Sequence, residues 1–319
     1  MARSMDRRRF LKTSVAASTG AVLTFGFEEK ALLAQAENWD APSTVTPSGK
    51  SMPKGKIGNV QVSRLICGGN LISGFAHSRD LLYMSSLLEH YFTDEKVFET
   101  FKICEENGID TAILRFDPNT LRIINNYWRE RKGGLQWIAQ IKPREQDLTG
   151  DAKKAIDNGA IGVYVQGETG DAFARNGHLE KLPEVIEFIK ANGAIAGMGA
   201  HSIEVVTQCE KLGLNPDFYM KTFNAKNYWS AGPQERHDSV WEETPEQTKE
   251  VMKSVKKPWI AFKVLGAGAI QPLDGFQYAF ANGADFICVG MFDFQVIEDA
   301  GIARRVLSGD LRRERPWMS

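Results

Sequence analysis

The chain has 319 residues, of which 43% are hydrophobic and 25% are charged, and its formal net charge is -1. This composition excludes an intrinsically disordered chain, and the near-neutral charge argues against nucleic acid as a partner, because phosphate binding needs a clustered excess of Lys and Arg. The body of the sequence contains no apolar run of about 18 residues, so we expect no membrane span in the mature protein and a small molecule as its partner.

The first residues have the pattern of an export signal. A basic segment, DRRRFLK at 6–12, precedes a mildly apolar run at 13–27 and a small-x-small site at 34–36. Arg7 and Arg8, followed by FLK, resemble the twin-arginine signal that sends folded bacterial proteins out of the cytoplasm. We therefore expect a signal peptide at 1–36, the twin-arginine machinery as the precursor's partner, and a periplasmic or otherwise exported protein.

A linker is predicted next. Residues 37–55 contain three prolines and many Ser and Thr, and they lack apolar periodicity. The remaining residues, 56–319, are predicted to form one domain.

Within 56–319, short apolar runs alternate with longer amphipathic segments that end in Asn-Gly or Gly, which is typical of repeated βα units. The apolar runs span residues 63–69, 109–116, 135–142, 160–167, 194–200, 217–223, 259–266 and 285–292. Eight such units predict an α/β fold, a single (β/α)₈ TIM barrel. An open doubly wound sheet is the alternative, but the turn after the first run reads GGNLISG and lacks the GxGxxG spacing.

The four cysteines, Cys67, Cys104, Cys209 and Cys288, form no CxxC pair, so neither a zinc ribbon nor a thioredoxin-like motif is expected. We expect buried free thiols. Because a closed barrel makes the first and last strands neighbours, a disulfide between Cys67 and Cys288 is the alternative.

In a barrel of this kind the chemistry takes place at the carboxyl ends of the strands. The predicted strand ends carry an unusual number of polar residues, and we expect Arg115, Glu168, His201, Lys221 and Lys263 to face one pocket. The polar residues at the strand ends are Asn70, Arg115, Gln140, Lys142, Gln166, Glu168, His201, Lys221, Asn224, Lys263 and Asp293.

Two groups in this ring suggest chemistry. Glu168 and His201 follow consecutive strands, and a carboxylate beside an imidazole can act as an acid/base pair or as metal ligands. Two ligands are too few to predict a metal site. Lys263 lies between apolar residues, which favours a lowered lysine pKa and Schiff-base chemistry, or else binding of an anionic or carbonyl oxygen.

Two loops are long for a compact barrel, and long loops are often functional. The loop at 71–92 carries His77, and the loop at 224–243 carries Trp229. Aromatic rings beside charged and amide groups suit a sugar, although a packed lid would use the same residues.

Several segments of residues 57–305 resemble the aldo-keto reductase superfamily. These are KIGNVQVSRLICGGNLISG, NGIDTAILRF, GAIAGMGAHS and VGMFDFQVIEDA. The resemblance implies a catalytic set of Asp, Tyr, Lys and His. Asp110 matches the Asp, but Arg115 stands at the Tyr position, Gln166 at the His position, and Gln140 or Ile141 at the Lys position. Because an arginine is not a proton donor near neutral pH, we do not expect the standard reductase mechanism.

The resemblance also implies an NADP-contacting segment, in which this chain keeps Gln295, Glu298 and Asp299 but no basic pair for the phosphate. The cofactor is therefore left open, with NADP ahead of a divalent metal.

Three functions remain open. The first is an exported aldo-keto reductase-like enzyme for a small polar carbonyl or sugar-type substrate. The second is a lyase, aldolase or isomerase using Lys263 with Glu168 and His201, since KVLGAG and NGADFICVG resemble the phosphate-holding loops of TIM barrels. The third is a sugar-binding barrel without catalysis.

Overall fold

The computed structural model describes residues 51–75, 81, 83–225 and 242–319. The chain divides into two compact units, Met1–Thr46 and Pro47–Ser319, and every described residue belongs to the second.

A closed barrel of eight parallel strands forms the centre of this unit, in the spatial order β10-β3-β4-β5-β6-β7-β8-β9. The strands are β3 (Leu65–Gly68), β4 (Thr111–Arg115), β5 (Gln136–Ile141), β6 (Gly162–Val165), β7 (Ile195–Ala200), β8 (Phe218–Thr222), β9 (Trp259–Phe262) and β10 (Phe286–Val289). Each lies inside one of the eight predicted runs, so the predicted (β/α)₈ barrel is confirmed.

A hairpin precedes the barrel and was not predicted. Its strands are β1 (Lys54–Ile57) and β2 (Val60–Ser63), and they pair antiparallel around Gly58, which has a φ of 57°. Ile57 and Val62 are fully buried against the side chains that fill the barrel interior. The hairpin therefore closes the amino end of the barrel and leaves the carboxyl end for a site.

Ten α-helices are described, most of them between consecutive barrel strands. They are α1 (Met84–Tyr91), α2 (Asp94–Glu106), α3 (Pro118–Glu130), α4 (Gly150–Asp157), α5 (Gly167–Arg175), α6 (Leu182–Ala191), α7 (Ile203–Lys211), α8 (Pro245–Ser254), α9 (Pro272–Ala281) and α10 (Asp293–Ser308). The Asn-Gly stops work as expected: at the end of α2, Asn107 donates its side-chain amide to the Ile103 carbonyl, and Gly108 takes a φ of 79°.

The apolar core has two layers, one inside the barrel and one between the strands and the helices. Cys67 belongs to the outer layer and Cys288 to the inner one, and all four cysteines are free and buried. The alternative of a Cys67–Cys288 disulfide is therefore wrong, because the two thiols lie on opposite faces of the sheet.

Within the described ranges, no helix is both long and apolar enough to cross a bilayer.

Candidate active site

His201 and Asp171 form the best-defined polar pair at the carboxyl end of the barrel. His201 follows β7, and its Nδ1 lies 2.7 Å from the Asp171 Oδ2 on α5. The backbone N–H groups of His201 and Ser202 also donate to the Asp171 carboxylate at 3.1 Å each. Asp171 is thus fixed by three donors, and it fixes the imidazole ring in turn.

Burial lowers the pKa of His201 below 6.5, although Asp171 opposes this shift, and the nearby Lys263 adds to the lowering. Burial by itself would raise the pKa of Asp171, but its hydrogen bonds with His201 and the backbone of Ser202 lower it overall. At neutral pH Asp171 is therefore an acceptor, so the proton of a neutral His201 is assigned to Nδ1. Nε2 then carries the lone pair of a general base.

The surroundings of the ring are close and mostly apolar. The ring centroids of His201 and Phe262 are 5.5 Å apart. A Cβ on Gly167 would lie 3.1 Å from the His201 Cε1, so a side chain there would press on the imidazole. The His201 side chain is 12% exposed.

Lys263 supplies the positive charge beside this pair. It follows β9 in a left-handed conformation, with a φ of 58°, which is unfavourable for a residue with a side chain. Its Nζ lies 6.0 Å from the Phe262 ring centroid, on the ring that also faces His201. The structure thus brings together two of the predicted site residues, His201 and Lys263.

A second polar group lies at the ends of β4, β5 and β6. Arg115 pairs in register with Gln140, and Gln140 with Tyr164. Their side chains share the inner face, because Ile113 and Ile138, two residues earlier, fill the barrel interior. The Tyr164 hydroxyl donates to the Gln140 Oε1 at 2.6 Å.

A cleft of about 660 Å³ opens beside Arg115. Ile72 and Phe92 supply its apolar lining, and Glu89 and Asp117 supply carboxylates. The Arg115 guanidinium stacks on the Phe75 ring at 4.5 Å, and its Nε is 3.9 Å from the Asp117 Oδ2. The cleft gives a ligand room next to the barrel mouth.

The expected partnership of Glu168 with His201 is wrong. Glu168 lies in the first turn of α5 with 72% of its side chain exposed, and its nearest cation is Lys142 at 3.9 Å. Asp171, about one helical turn later, lies on the buried face of α5 and forms the hydrogen bond with the His201 imidazole instead.

Lys221 does not face the pocket, so that expectation is also wrong. The neighbouring Phe218 and Met220 point into the barrel, and the strand alternation turns Lys221 toward the helices. There it forms a fully buried ion pair with Glu242 at 2.7 Å, and Thr248 donates to the same carboxylate.

Asp110 lies at the amino end of the barrel, so its expected catalytic role is wrong. It precedes β4, forms an ion pair with Lys54 of the hairpin at 2.7 Å, and accepts hydrogen bonds from the Ser63 backbone and the Thr111 hydroxyl. These contacts hold the hairpin to the barrel, a whole strand length away from Arg115.

The structure also gives neighbours for the remaining residues of the predicted ring. Gln166 precedes α5 and accepts a long hydrogen bond from Thr169, and Asn224 donates to the Lys263 carbonyl at 3.2 Å. Asn70 begins a short turn at Leu71–Ser73. Asp293 is held by Tyr91 and Lys96, on the helical side of the mouth. His77 and Trp229 lie outside the described residues.

The segment expected to contact NADP does not fit the phosphate of that cofactor. Gln295 accepts from the Phe292 backbone and so caps its own helix, and Glu298 is an exposed carboxylate. Asp299 is buried, and burial raises its pKa to about 7.

Across the part of the chain that the structure describes, no cluster of three or more His, Cys, Asp or Glu side chains suits a metal.

A scan against protein-family models gives no match, and a search of curated proteins gives none. Solved structures do match. A proposed aldo-keto reductase from Pseudomonas aeruginosa covers 81% of this chain and 98% of its own length, with a TM-score of 0.59 and 14% identity. A truncated 3-deoxy-D-arabino-heptulosonate 7-phosphate synthase from Thermotoga maritima covers 82% of this chain and 95% of its own, with a TM-score of 0.50 and 11% identity. At these identities the similarity shows the barrel fold alone.

Three residues at the carboxyl end of the barrel were not among the predicted site residues. Asp171 could have been found from the helical spacing of α5, since Gly167, Gly170 and Asp171 share its buried face. In the sequence, Tyr164 shows only the pattern of a buried strand residue, which does not point to a site. Thr222 ends β8, in register with Phe262, and its buried hydroxyl has no partner among the described residues.

Proposed function

We propose that this chain is a barrel enzyme that acts on a small polar carbonyl or sugar-type substrate by proton transfer at His201. The observation that carries the proposal is the 2.7 Å contact between His201 Nδ1 and Asp171. It leaves Nε2 as a base on a ring that is neutral at physiological pH.

The chemistry of the residues is that of an isomerase or lyase. His201 Nε2 takes a proton from a C–H or O–H group of the substrate, and Asp171 stabilises the imidazolium that forms. Negative charge develops on the substrate oxygen, where Lys263 stabilises it. The proton then returns from Nε2 to the product, so the enzyme ends in its starting state.

Reduction by the standard aldo-keto reductase mechanism is not proposed. The resemblance in sequence puts Arg115 at the position of the tyrosine proton donor, and Asp110 lies at the amino end of the barrel.

We also infer that the precursor leaves the cytoplasm by the twin-arginine route. The inference rests on Arg7 and Arg8 and on the apolar run and small-x-small site that follow them.

The test is hydrogen exchange in D₂O, followed by the loss of C–H signals in the proton NMR spectra of dihydroxyacetone, D-fructose and pyruvate. We expect His201→Gln to lower the exchange rate by about 10²–10⁴-fold, the usual contribution of a general base. The wild-type rate should rise with pH through an apparent pKa below 6.5, because only the neutral ring accepts a proton and burial lowers its pKa.

His178→Gln is the matched control, since His178 also bonds a carboxylate, Glu145, at 2.6 Å but is 38% exposed. It should leave the rate unchanged. Full exchange by the His201→Gln protein, or no exchange of any of the three compounds by the wild type, would overturn the proposal.

A further inference from the structure

Tyr164 places a hydroxyl among the buried apolar side chains that fill the barrel interior. Its side chain is 2% exposed, and its ring lies 6.3 Å from that of Phe218. A buried hydroxyl needs an acceptor, and the Gln140 Oε1 at 2.6 Å is the one that the described residues provide. Burial also raises the pKa of Tyr164 well above its ordinary value, so the hydroxyl keeps its proton.

This hydrogen bond decides which way the Gln140 amide faces. Because the Gln140 Oε1 is the acceptor that the described residues provide for the Tyr164 proton, the amide is assigned with its oxygen toward Tyr164 and its Nε2 group pointing away. Among the described residues, Nε2 has no hydrogen-bond partner, although the side chain is half-buried. Two N–H donors are thus presented at the barrel mouth.

Arg115 lies next to Gln140 on the neighbouring strand, at the same level and on the same face. Strands of one sheet are about 4.8 Å apart, so the two side chains are immediate neighbours. The 3.9 Å separation of Arg115 Nε from Asp117 is too long for a hydrogen bond, and the guanidinium is oriented by the Phe75 ring instead. Among the described residues the guanidinium forms this ion pair but no hydrogen bond, so its N–H groups can donate to a ligand.

We propose that Arg115 and Gln140 form a carboxylate-binding subsite, with Tyr164 as the positioning residue that turns the Gln140 amide toward the ligand. A guanidinium and an amide NH₂ side by side offer donors only, which suits the two oxygens of a carboxylate. The inference rests on the proposed function and narrows its substrates to carbonyl compounds that also carry a carboxylate.

The test compares pyruvate with hydroxyacetone, which has the same carbon skeleton but no carboxylate. Dissociation constants are measured on the full chain by ¹⁵N–¹H NMR, following the Gln140 side-chain amide, which is assigned by its loss in Gln140→Glu. We expect pyruvate to bind at least about tenfold more tightly and to shift this amide signal directly. A tenfold difference corresponds to about 1.4 kcal/mol.

Gln140→Glu is the sharpest variant, because the carboxylate still accepts from Tyr164 but can no longer donate. It and Arg115→Met should each weaken pyruvate binding at least about tenfold and leave hydroxyacetone within about twofold. Tyr164→Phe should weaken pyruvate binding about three- to tenfold. Tyr219→Phe is its control, because Tyr219 donates to Glu210 in the outer layer, away from the mouth.

His201→Gln separates this inference from the proposed function. That protein should lose hydrogen exchange yet bind pyruvate within about twofold of the wild type. Equal affinities for pyruvate and hydroxyacetone, no binding of either at 50 mM, or unchanged pyruvate binding by Gln140→Glu would overturn the subsite. The exchange experiment would then still decide the proposed function.

Discussion

Asp299 shows how burial acts on a single ionisable residue of this protein. Its side chain lies on the inner face of α10 and is 3% exposed, and burial followed by the charge of Glu298 raises its pKa to about 7. In the unfolded chain the pKa is close to 3.8. Between these values the folded protein holds a proton that the unfolded chain has released, so stability falls as pH rises from about 4 to 7.

We expect Asp299→Asn to stabilise the protein at pH 8 by a few kcal/mol, since each pKa unit corresponds to about 1.36 kcal/mol. At pH 4 both side chains are neutral in the folded state, so the gain should vanish. Thermal unfolding of both proteins at pH 4, 6 and 8 measures this, with Asp310→Asn as the control, since Asp310 is exposed. An equal loss of stability at every pH would show instead that the carboxylate makes a contact that the amide cannot.

Among the elements, the segment at 310–319 binds the amino end of the barrel through buried charges. Arg315 is 1% exposed, and its guanidinium bonds the Asp285 carboxylate at 2.7 Å. It also donates to the backbone carbonyls of Gly283, Val255 and Lys257. One side chain thus joins the loop before β9 to the loop before β10.

We expect Arg315→Met to lower the free energy of unfolding by about 3–5 kcal/mol, because removing one partner leaves the Asp285 carboxylate buried without its main counter-charge. Urea denaturation measures the change. Arg312→Met is the control, since Arg312 lies on the same segment and is exposed. A change of less than about 0.5 kcal/mol for Arg315→Met, as is usual for surface residues, would contradict this role.

On the scale of the whole molecule, the two ends of the barrel carry different kinds of polar group. The amino end has ion pairs that join elements, such as Asp110 with Lys54 and Asp285 with Arg315. The carboxyl end has partly buried groups that lack a hydrogen-bond partner among the described residues, namely the Nε2 atoms of Gln140 and His201. The ion pairs at the amino end thus lie about one strand length away from the proposed site.

The twin-arginine route exports proteins that have already folded. We expect the double substitution Arg7→Lys with Arg8→Lys to leave the precursor in the cytoplasm of a bacterial host, because that pathway recognises the arginine pair. Immunoblots of periplasmic and cytoplasmic fractions measure this, with Arg9→Lys as the control. Normal export of the doubly substituted chain would contradict the predicted twin-arginine signal.

The number and order of the barrel strands could be predicted from the sequence, because apolar runs and Asn-Gly stops are local signals that burial and backbone geometry impose on each unit. Polar residues at the strand ends were predicted for the same reason, and the structure places two of them, His201 and Lys263, on either side of Phe262. A position at the end of a strand does not show, however, whether the side chain points into the barrel or toward the helices. Lys221 was expected to face the pocket, but it lies on the opposite face of its strand. Asp110 was expected in the site, but it lies at the other end of its strand.

Pairing in space was decided by the tertiary structure alone. The choice of Asp171 over Glu168 depends on which face of α5 packs against β7, and the orientation of Gln140 depends on a tyrosine from the next strand. The hairpin that closes the amino end takes its place because Ile57 and Val62 complete the interior layer. These are contacts between residues far apart in sequence, and their energies depend on packing and burial that no local pattern records.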